Sequence, residues 1–144
     1  MSGVDFFDSN VFVYVLDNSS PAKQAIARRL LAQAHEQRSG VISFQVVQET
    51  LHVLTQKFRV VAREVDRRSF LNNVLVPLWQ VMPSADLYIR ALNVQQTYGF
   101  AFYDSLILAA ALEAGCTRLL TEDMQHGQRI VKKLTITNPF LAAA

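Results

Sequence analysis

A helix that is apolar on nearly every side has to be covered on nearly every side. From Phe100 the sequence runs Phe-Ala-Phe-Tyr-Asp-Ser-Leu-Ile-Leu-Ala-Ala-Ala-Leu-Glu-Ala-Gly-Cys-Thr-Arg-Leu-Leu-Thr-Glu-Asp, ending at Asp123. The first part reads as such a helix, with one acid, Asp104, near its start. Gly115 supplies the positive-φ position that stops a helix, and Leu119-Leu120-Thr121 follows as a short buried strand. That strand delivers two further acids, Glu122 and Asp123, at its C-terminal end. An acid beside a core is costly to desolvate unless something compensates it. Either Asp104 caps its own helix or it joins a cluster that holds a cation.

The rest of the chain supplies the cover. A strand over 4–7 hands over at Asp8-Ser9-Asn10 to a short helix that ends near Asp17. Ser20-Pro21 is a helix start, with a capping hydroxyl and proline at the first helical position. The helix over 21–37 carries Ala22, Ile26 and Leu30 on one face, and Ser39-Gly40 is expected to stop it. A strand over 41–43 runs into a helix over 44–58, where Val47, Leu51, Leu54 and Phe58 recur at helical spacing. Glu49 lies off the centre of that stripe. A further helix over 60–75 is basic on its outer face, and 77–82 reads as a strand, its leading proline tolerated at a first position. Ser84 caps the next helix and Gly99 closes it; 128–133 reads as a basic connector and 134–137 as a last strand. No repeat or linker interrupts the pattern. Strands alternating with helices predict a parallel sheet covered on both faces, a three-layer α/β/α arrangement with its site beyond the carboxyl ends of the strands.

At 144 residues the simplest expectation is one domain spanning 1–144. Hydrophobic residues make up 51% of the chain, which argues against disorder. No apolar run is long enough to span a bilayer, no export signal opens the chain, and one cysteine, Cys116, cannot pair internally. A cytoplasmic protein without membrane contact is expected. The net charge of +2 admits a nucleic-acid partner without arguing for one. Basic residues gather at Lys57, Arg59, Arg63, Arg67 and Arg68, and again at Arg129, Lys132 and Lys133. Taken alone, these runs read as solvated faces.

Asp8, Glu49, Asp104 and the Glu122-Asp123 pair all fall at or shortly after strand ends or beside them. Singly, Asp8 and Asp104 read equally well as N-caps, and Asp17 better as one. Glu49 falls inside its helix and escapes that explanation. Carboxylates sharing one crevice raise each other's pKa, a situation a hard divalent cation relieves. Glu122 and Asp123 point to opposite sides of a strand, so one of them at most is expected to face the cluster.

Phe6-Phe7-Asp8-Ser9-Asn10, Ser43-Phe44-Gln45-Val46-Val47-Gln48-Glu49, Phe102-Tyr103-Asp104-Ser105-Leu106-Ile107 and Leu120-Thr121-Glu122-Asp123 occur in that order. This ordered set resembles the PIN-domain ribonucleases and, within them, the VapC-type toxins of bacterial toxin–antitoxin pairs. The resemblance spans essentially the whole chain. It implies an α/β/α fold with a central parallel sheet, and an endoribonuclease dependent on Mg²⁺ or Mn²⁺. Asp8, Glu49, Asp104 and Asp123 would be the catalytic, metal-holding acids. Ser9 and Asn10 match the family's small polar positions after the first acid. Asn10, Ser43 and Thr121 would orient or support the carboxylates, with Glu122 the alternative to Asp123. The resemblance also implies an RNA substrate, a small antitoxin partner and a homodimer.

Rival readings fit less well. A phosphoacceptor receiver domain wants an acceptor acid at a mid-chain strand end, and none stands there. A haloacid-type phosphohydrolase wants Asp-x-Asp where this chain has Asp8-Ser9-Asn10. A PIN-like module that binds nucleic acid or protein without cutting remains as the alternative. No zinc-ligand spacing or phosphate-binding glycine loop is present.

Overall fold

A computed structural model describes residues 4–56 and 64–143 of the chain. Among them, the strands are β1 (Asp5–Phe7), β2 (Gly40–Ser43), β3 (Trp79–Val81), β4 (Arg118–Leu120), β5 (Arg129–Ile130) and β6 (Leu134–Thr137). The α-helices are α1 (Ser9–Leu16), α2 (Pro21–Gln37), α3 (Phe44–Gln56), α4 (Glu64–Phe70), α5 (Ala85–Tyr98) and α6 (Phe102–Glu113). The strands form one sheet in the order β3-β2-β1-β4-β6-β5. All neighbours are parallel except β5, which runs antiparallel to β6. From β1 the chain steps outward through β2 to β3, then returns through α5 and α6 to β4 on the other side of β1. Helix α1 packs against both α2 and α3, and α5 lies along α6. The result is the three-layer α/β/α arrangement, with a sheet parallel but for its edge.

The core follows from the same residues that define the elements. Phe6, Phe7, Ile42, Leu119, Leu120 and Ile136 on the strands are fully or almost fully buried. Residues 105–111 of α6 are buried without interruption, as a helix apolar all round requires. Each large apolar side chain so removed from water contributes about 1.5–3 kcal/mol. Ser105, the polar member of that run, donates its hydroxyl to Ala101 O at 3.0 Å. Gly115 takes φ +73° after α6, and two backbone bonds close the end: Gly115 N–H to Leu112 O and Cys116 N–H to Ala111 O. Ser84 caps α5 by accepting from Leu87 N–H at 3.1 Å, and Gly99 closes that helix at φ +78°.

Several local expectations are corrected. Ser20 makes no side-chain capping bond, and Arg38, not Ser39-Gly40, takes the left-handed position that ends α2. The buried face of α2 is Ala27, Leu31 and Ala34, while Ala22 is exposed and Ile26 and Leu30 only half-buried. Small residues explain the rotation: a Cβ on Gly40 would stand 2.8 Å from Ala34 Cβ, so the bare glycine lets α2 approach β2. The helix expected over 60–75 appears as α4, a π-helical turn (Leu71–Leu75) and a 3₁₀ turn (Val76–Leu78). Pro77 lies in that 3₁₀ turn, so β3 begins two residues after it. Residues 57–63, with Phe58 and the basic Lys57, Arg59 and Arg63, lie outside the described residues. The connector expected over 128–133 contains β5. Its hairpin turns through Val131 and Lys132, both at positive φ, and Val131 N–H is held by the Tyr98 hydroxyl at 2.8 Å.

Candidate active site

The strand order reverses between β1 and β4, and the crevice at their carboxyl ends receives Asp8 from one and Thr121-Glu122-Asp123 from the other. Asp8 is the N-cap of α1: its Oδ1 accepts from Ser9 N–H at 2.8 Å. Its Oδ2 accepts from the Thr121 hydroxyl, also at 2.8 Å. Thr121 Oγ1 in turn accepts from Asn10 Nδ2 and from Asp123 N–H, both at 3.1 Å. Asn10 Nδ2 also donates to Asp123 Oδ2 at 3.1 Å. Asp8, Asn10, Thr121 and Asp123 thus form one connected network across the two strand ends. The capping and clustering readings of Asp8 are both realised.

Glu122 turns the other way. Its carboxylate accepts from the Tyr14 hydroxyl at 2.6 Å and pairs with Lys23 on α2 at 3.2 Å. Lys23 also lies over the Tyr14 ring, 5.0 Å from its centroid. Only Asp123 of the adjacent pair enters the network. Asp17 is no N-cap of a helix; it accepts from Ser19 N–H in a turn after α1.

Glu49 and Asp104 come from the two helix layers. Asp104 stands in the first turn of α6, whose N-cap is Ala101 and makes no side-chain capping bond, so the capping reading of Asp104 is set aside. Among the described residues, no hydrogen bond reaches the Glu49 or Asp104 carboxylate. Electrostatics still gathers the four acids. Burial pushes the Asp8 carboxyl up to about 6, against the lowering effect of its Thr121 and Ser9 bonds, and the charges of Asp123 and Asp104 push the same way. Desolvation, then the charges of Asp8, Asp104 and Asp123, push Glu49 up to about 7. Glu49 nevertheless keeps an exposed side, so solvent screening moderates the free-energy consequence. Desolvation and the charge of Asp123 raise Asp104. Ser9 contributes its backbone N–H, whereas the Ser43 hydroxyl is buried and makes no hydrogen bond among the described residues.

A match to the family model described as PIN domain covers residues 6–131, most of the chain and all four acids. The chain belongs to the PIN domain family. Its fold is similar to that of a toxin–antitoxin complex from Klebsiella pneumoniae, with a TM-score of 0.65, 16% identity, and coverage of 94% of this chain and 97% of that one. FitAcB from Neisseria gonorrhoeae gives a TM-score of 0.62 at 16% identity, covering 96% and 99%. VapC20 from Mycobacterium tuberculosis, a sarcin-ricin loop cleaving toxin, gives 0.58 at 20% identity, covering 83% and 91%. At these identities the likeness is one of fold. A comparison with curated protein sequences finds no match.

Among the described residues of this PIN domain, no three His, Cys, Asp or Glu side chains are drawn tight enough to hold a metal ion as they stand. The donor set nevertheless suits a hard cation. It is all oxygen, and Mg²⁺ needs only one or two direct carboxylates, with water completing its shell. Asn10 Oδ1, buried and without a hydrogen bond among the described residues, adds a neutral oxygen beside Asp123.

Other polar and charged groups outside the acid cluster resolve as structure. His126 Nδ1 accepts from Asn138 N–H at 2.9 Å, and Asp5 makes a two-bond pair with Arg118 at 2.8 and 2.7 Å. Cys116 is a buried hydrophobe, its thiol pushed by burial up to about 12. Arg129, Lys132 and Lys133 lie in the hairpin that precedes β6, at the opposite end of the sheet from the acids. The partners Tyr14 and Lys23 carried no signal in the sequence, because nothing local ties them to Glu122.

Proposed function

We propose that this PIN domain is an endoribonuclease that depends on Mg²⁺ or Mn²⁺ and acts as the toxin of a type II toxin–antitoxin pair. The observation that carries the reading is the convergence of Asp8, Glu49, Asp104 and Asp123 from four separate elements onto one end of the sheet, each of the first three raised by its neighbours' charge or by burial. Structural acids have no reason to crowd in this way, since each raises the cost of the others. Membership of the family and the likeness in fold to toxins support the same reading.

Asp8, Glu49, Asp104 and Asp123 would hold the ion, which supplies charge for the phosphoryl oxygens and lowers the pKa of water. The chain's own groups divide the remaining work. Asp8 and Asp123 are held in fixed directions by the Thr121–Asn10 network. No hydrogen bond among the described residues fixes the Glu49 or Asp104 carboxylate. Glu49, whose carboxyl is pushed up to about 7 by burial and by its acidic neighbours when no ion is bound, would be the carboxylate to accept a proton released by attacking water. Cleavage would follow the family pattern, leaving a 5′-phosphate and a 3′-hydroxyl. The basic hairpin lies away from the acids, so RNA backbone contacts near the site would fall to other residues.

The antitoxin would lay an apolar segment over exposed helix surface and present a basic side chain to the acids. A homodimer is part of the same reading, and α5 exposes Tyr88, Ile89 and Leu92. A second reading, a PIN module that binds without cutting, is favoured by the looseness of the acid group. RNA incubated with the purified chain separates the two. Cleavage restored by Mg²⁺ or Mn²⁺ after chelation supports the nuclease, and intact RNA under every divalent condition supports the binding module. Growth arrest on induced expression, relieved by a co-expressed small partner, tests the toxin assignment.

A further inference from the structure

The four acids fall into two pairs that the fold secures differently. Asp8 and Asp123 are joined through side chains by Thr121 and Asn10. Glu49 and Asp104 are reached by no side-chain hydrogen bond among the described residues, so their separation depends on how α3 and α6 sit across the sheet edge. Among the described residues, one side-chain hydrogen bond spans that gap at the level of the acids. Gln45 Nε2, on α3, donates to Tyr103 O, on α6, at 3.1 Å. Gln45 is one helical turn before Glu49 and on the same face, and Tyr103 immediately precedes Asp104. Gln45 is 5% exposed, so the donor is a buried amide held inside the packing of its helix, although Tyr103 itself reaches solvent.

The start of α6 has few other ties. Its N-cap, Ala101, contributes no side-chain bond. Phe100 O accepts from Gln95 Nε2 on α5 at 3.3 Å, and the Ser105 hydroxyl bonds within α6 itself. Both hold the segment to its own layer. Among the described residues, the Gln45 amide makes the one side-chain hydrogen bond between it and the helix that carries Glu49. Gln45 Oε1 makes no bond among the described residues, so the donor side of the amide accounts for its orientation.

We propose that Gln45 is a positioning residue that sets the gap between Glu49 and Asp104, and with it the affinity of the acid group for a divalent cation. This rests on the nuclease reading above. Gln45→Leu removes the donor at similar volume, and Gln45→Asn keeps the amide but shortens its reach. The probe is Mn²⁺ alone, titrated calorimetrically against the whole chain, with melts in chelator as the measure of fold. Both variants should bind Mn²⁺ about tenfold or more weakly than wild type, the scale seen when a supporting partner of a metal ligand is lost. RNA cleavage should fall in kcat with KM little changed. Ser105→Ala, which removes a bond inside α6 only, should bind Mn²⁺ as wild type does.

A folded Gln45→Leu with wild-type Mn²⁺ affinity overturns the proposal. So does a Ser105→Ala loss as large as that of Gln45→Leu, since general loosening of α6 would then suffice. Should Gln45→Leu fail to fold, Gln45→Asn decides on the same terms. Failure of the nuclease reading looks different: wild type itself would neither bind Mn²⁺ nor cut RNA.

Discussion

The Thr121 hydroxyl stands 2.8 Å from Asp8 Oδ2 and donates its one proton there. A hydroxyl has one donor and two lone pairs, and Asn10 Nδ2 and Asp123 N–H occupy the acceptor side at 3.1 Å each. Thr121 is fully buried, and its bonding capacity is fully used. Thr121→Val keeps the shape and removes all three bonds. It should lower stability by about 1–3 kcal/mol, the cost of stranding buried partners, and weaken divalent binding about tenfold. Thr121→Ser should retain most of both. Urea melts and Mn²⁺ titrations check this, and a Val variant with wild-type Mn²⁺ affinity would disconnect Thr121 from the acids' work.

Asp8→Asn, Glu49→Gln, Asp104→Asn and Asp123→Asn should each reduce divalent-dependent RNA cleavage on the order of 10²-fold or more, as loss of a preorganised charged group does. Glu122→Gln should have the smallest effect of the five, because its carboxylate is engaged with Tyr14 and Lys23. Initial rates on one RNA at fixed Mg²⁺ make the comparison. Wild-type rates at two of the first four positions would dissolve the shared site.

Mn²⁺ at a hundredfold excess over its dissociation constant should stabilise the wild type by about 2.7 kcal/mol through mass action. Asp104→Asn should gain little of that. Because Asp104 is not a helix cap, the substitution should leave stability without metal unchanged or slightly higher. Thermal melts of both proteins with and without Mn²⁺ give the answer, and equal shifts would remove Asp104 from the ion's reach.

Stability in chelator should fall as pH rises from about 4 to about 7. In this window the folded chain holds Asp8 and Glu49 protonated, up to about 6 and about 7, while the unfolded chain has released both protons. A raised acid stabilises the fold below its unfolded pKa and loses that contribution as pH passes its folded pKa. For buried Asp8 the loss is on the order of 1–3 kcal/mol; for Glu49, which keeps solvent contact, it is smaller. With saturating Mn²⁺ the trend should reverse, because ligands must lose protons to bind. Urea melts between pH 4 and 8 test both arms; a rise in chelator would contradict a carboxyl raised by burial at Asp8.

What the sequence determined by itself was local. Hydrophobic runs and helix stops such as Gly99 and Gly115 depend on neighbours a few residues away, so most element positions and the alternation behind the α/β/α layers were legible. That Asp8 and Asp123 follow strand ends was legible too, because strand ends are local features. Tertiary structure alone decided the rest. Glu122 and Asp123 are adjacent, yet one pairs with Lys23 and the other joins Asn10, 113 positions away. Arg129–Ile130 became a strand because β6 offered an edge, and α2 turned its Ala27–Leu31–Ala34 face inward because Gly40 left room. Gln45 was legible as a helix residue near Glu49, but its bond to Tyr103 exists only once two layers meet over the sheet. Propensity and periodicity act over a few residues, whereas partners of this kind are chosen by which elements the whole fold brings side by side.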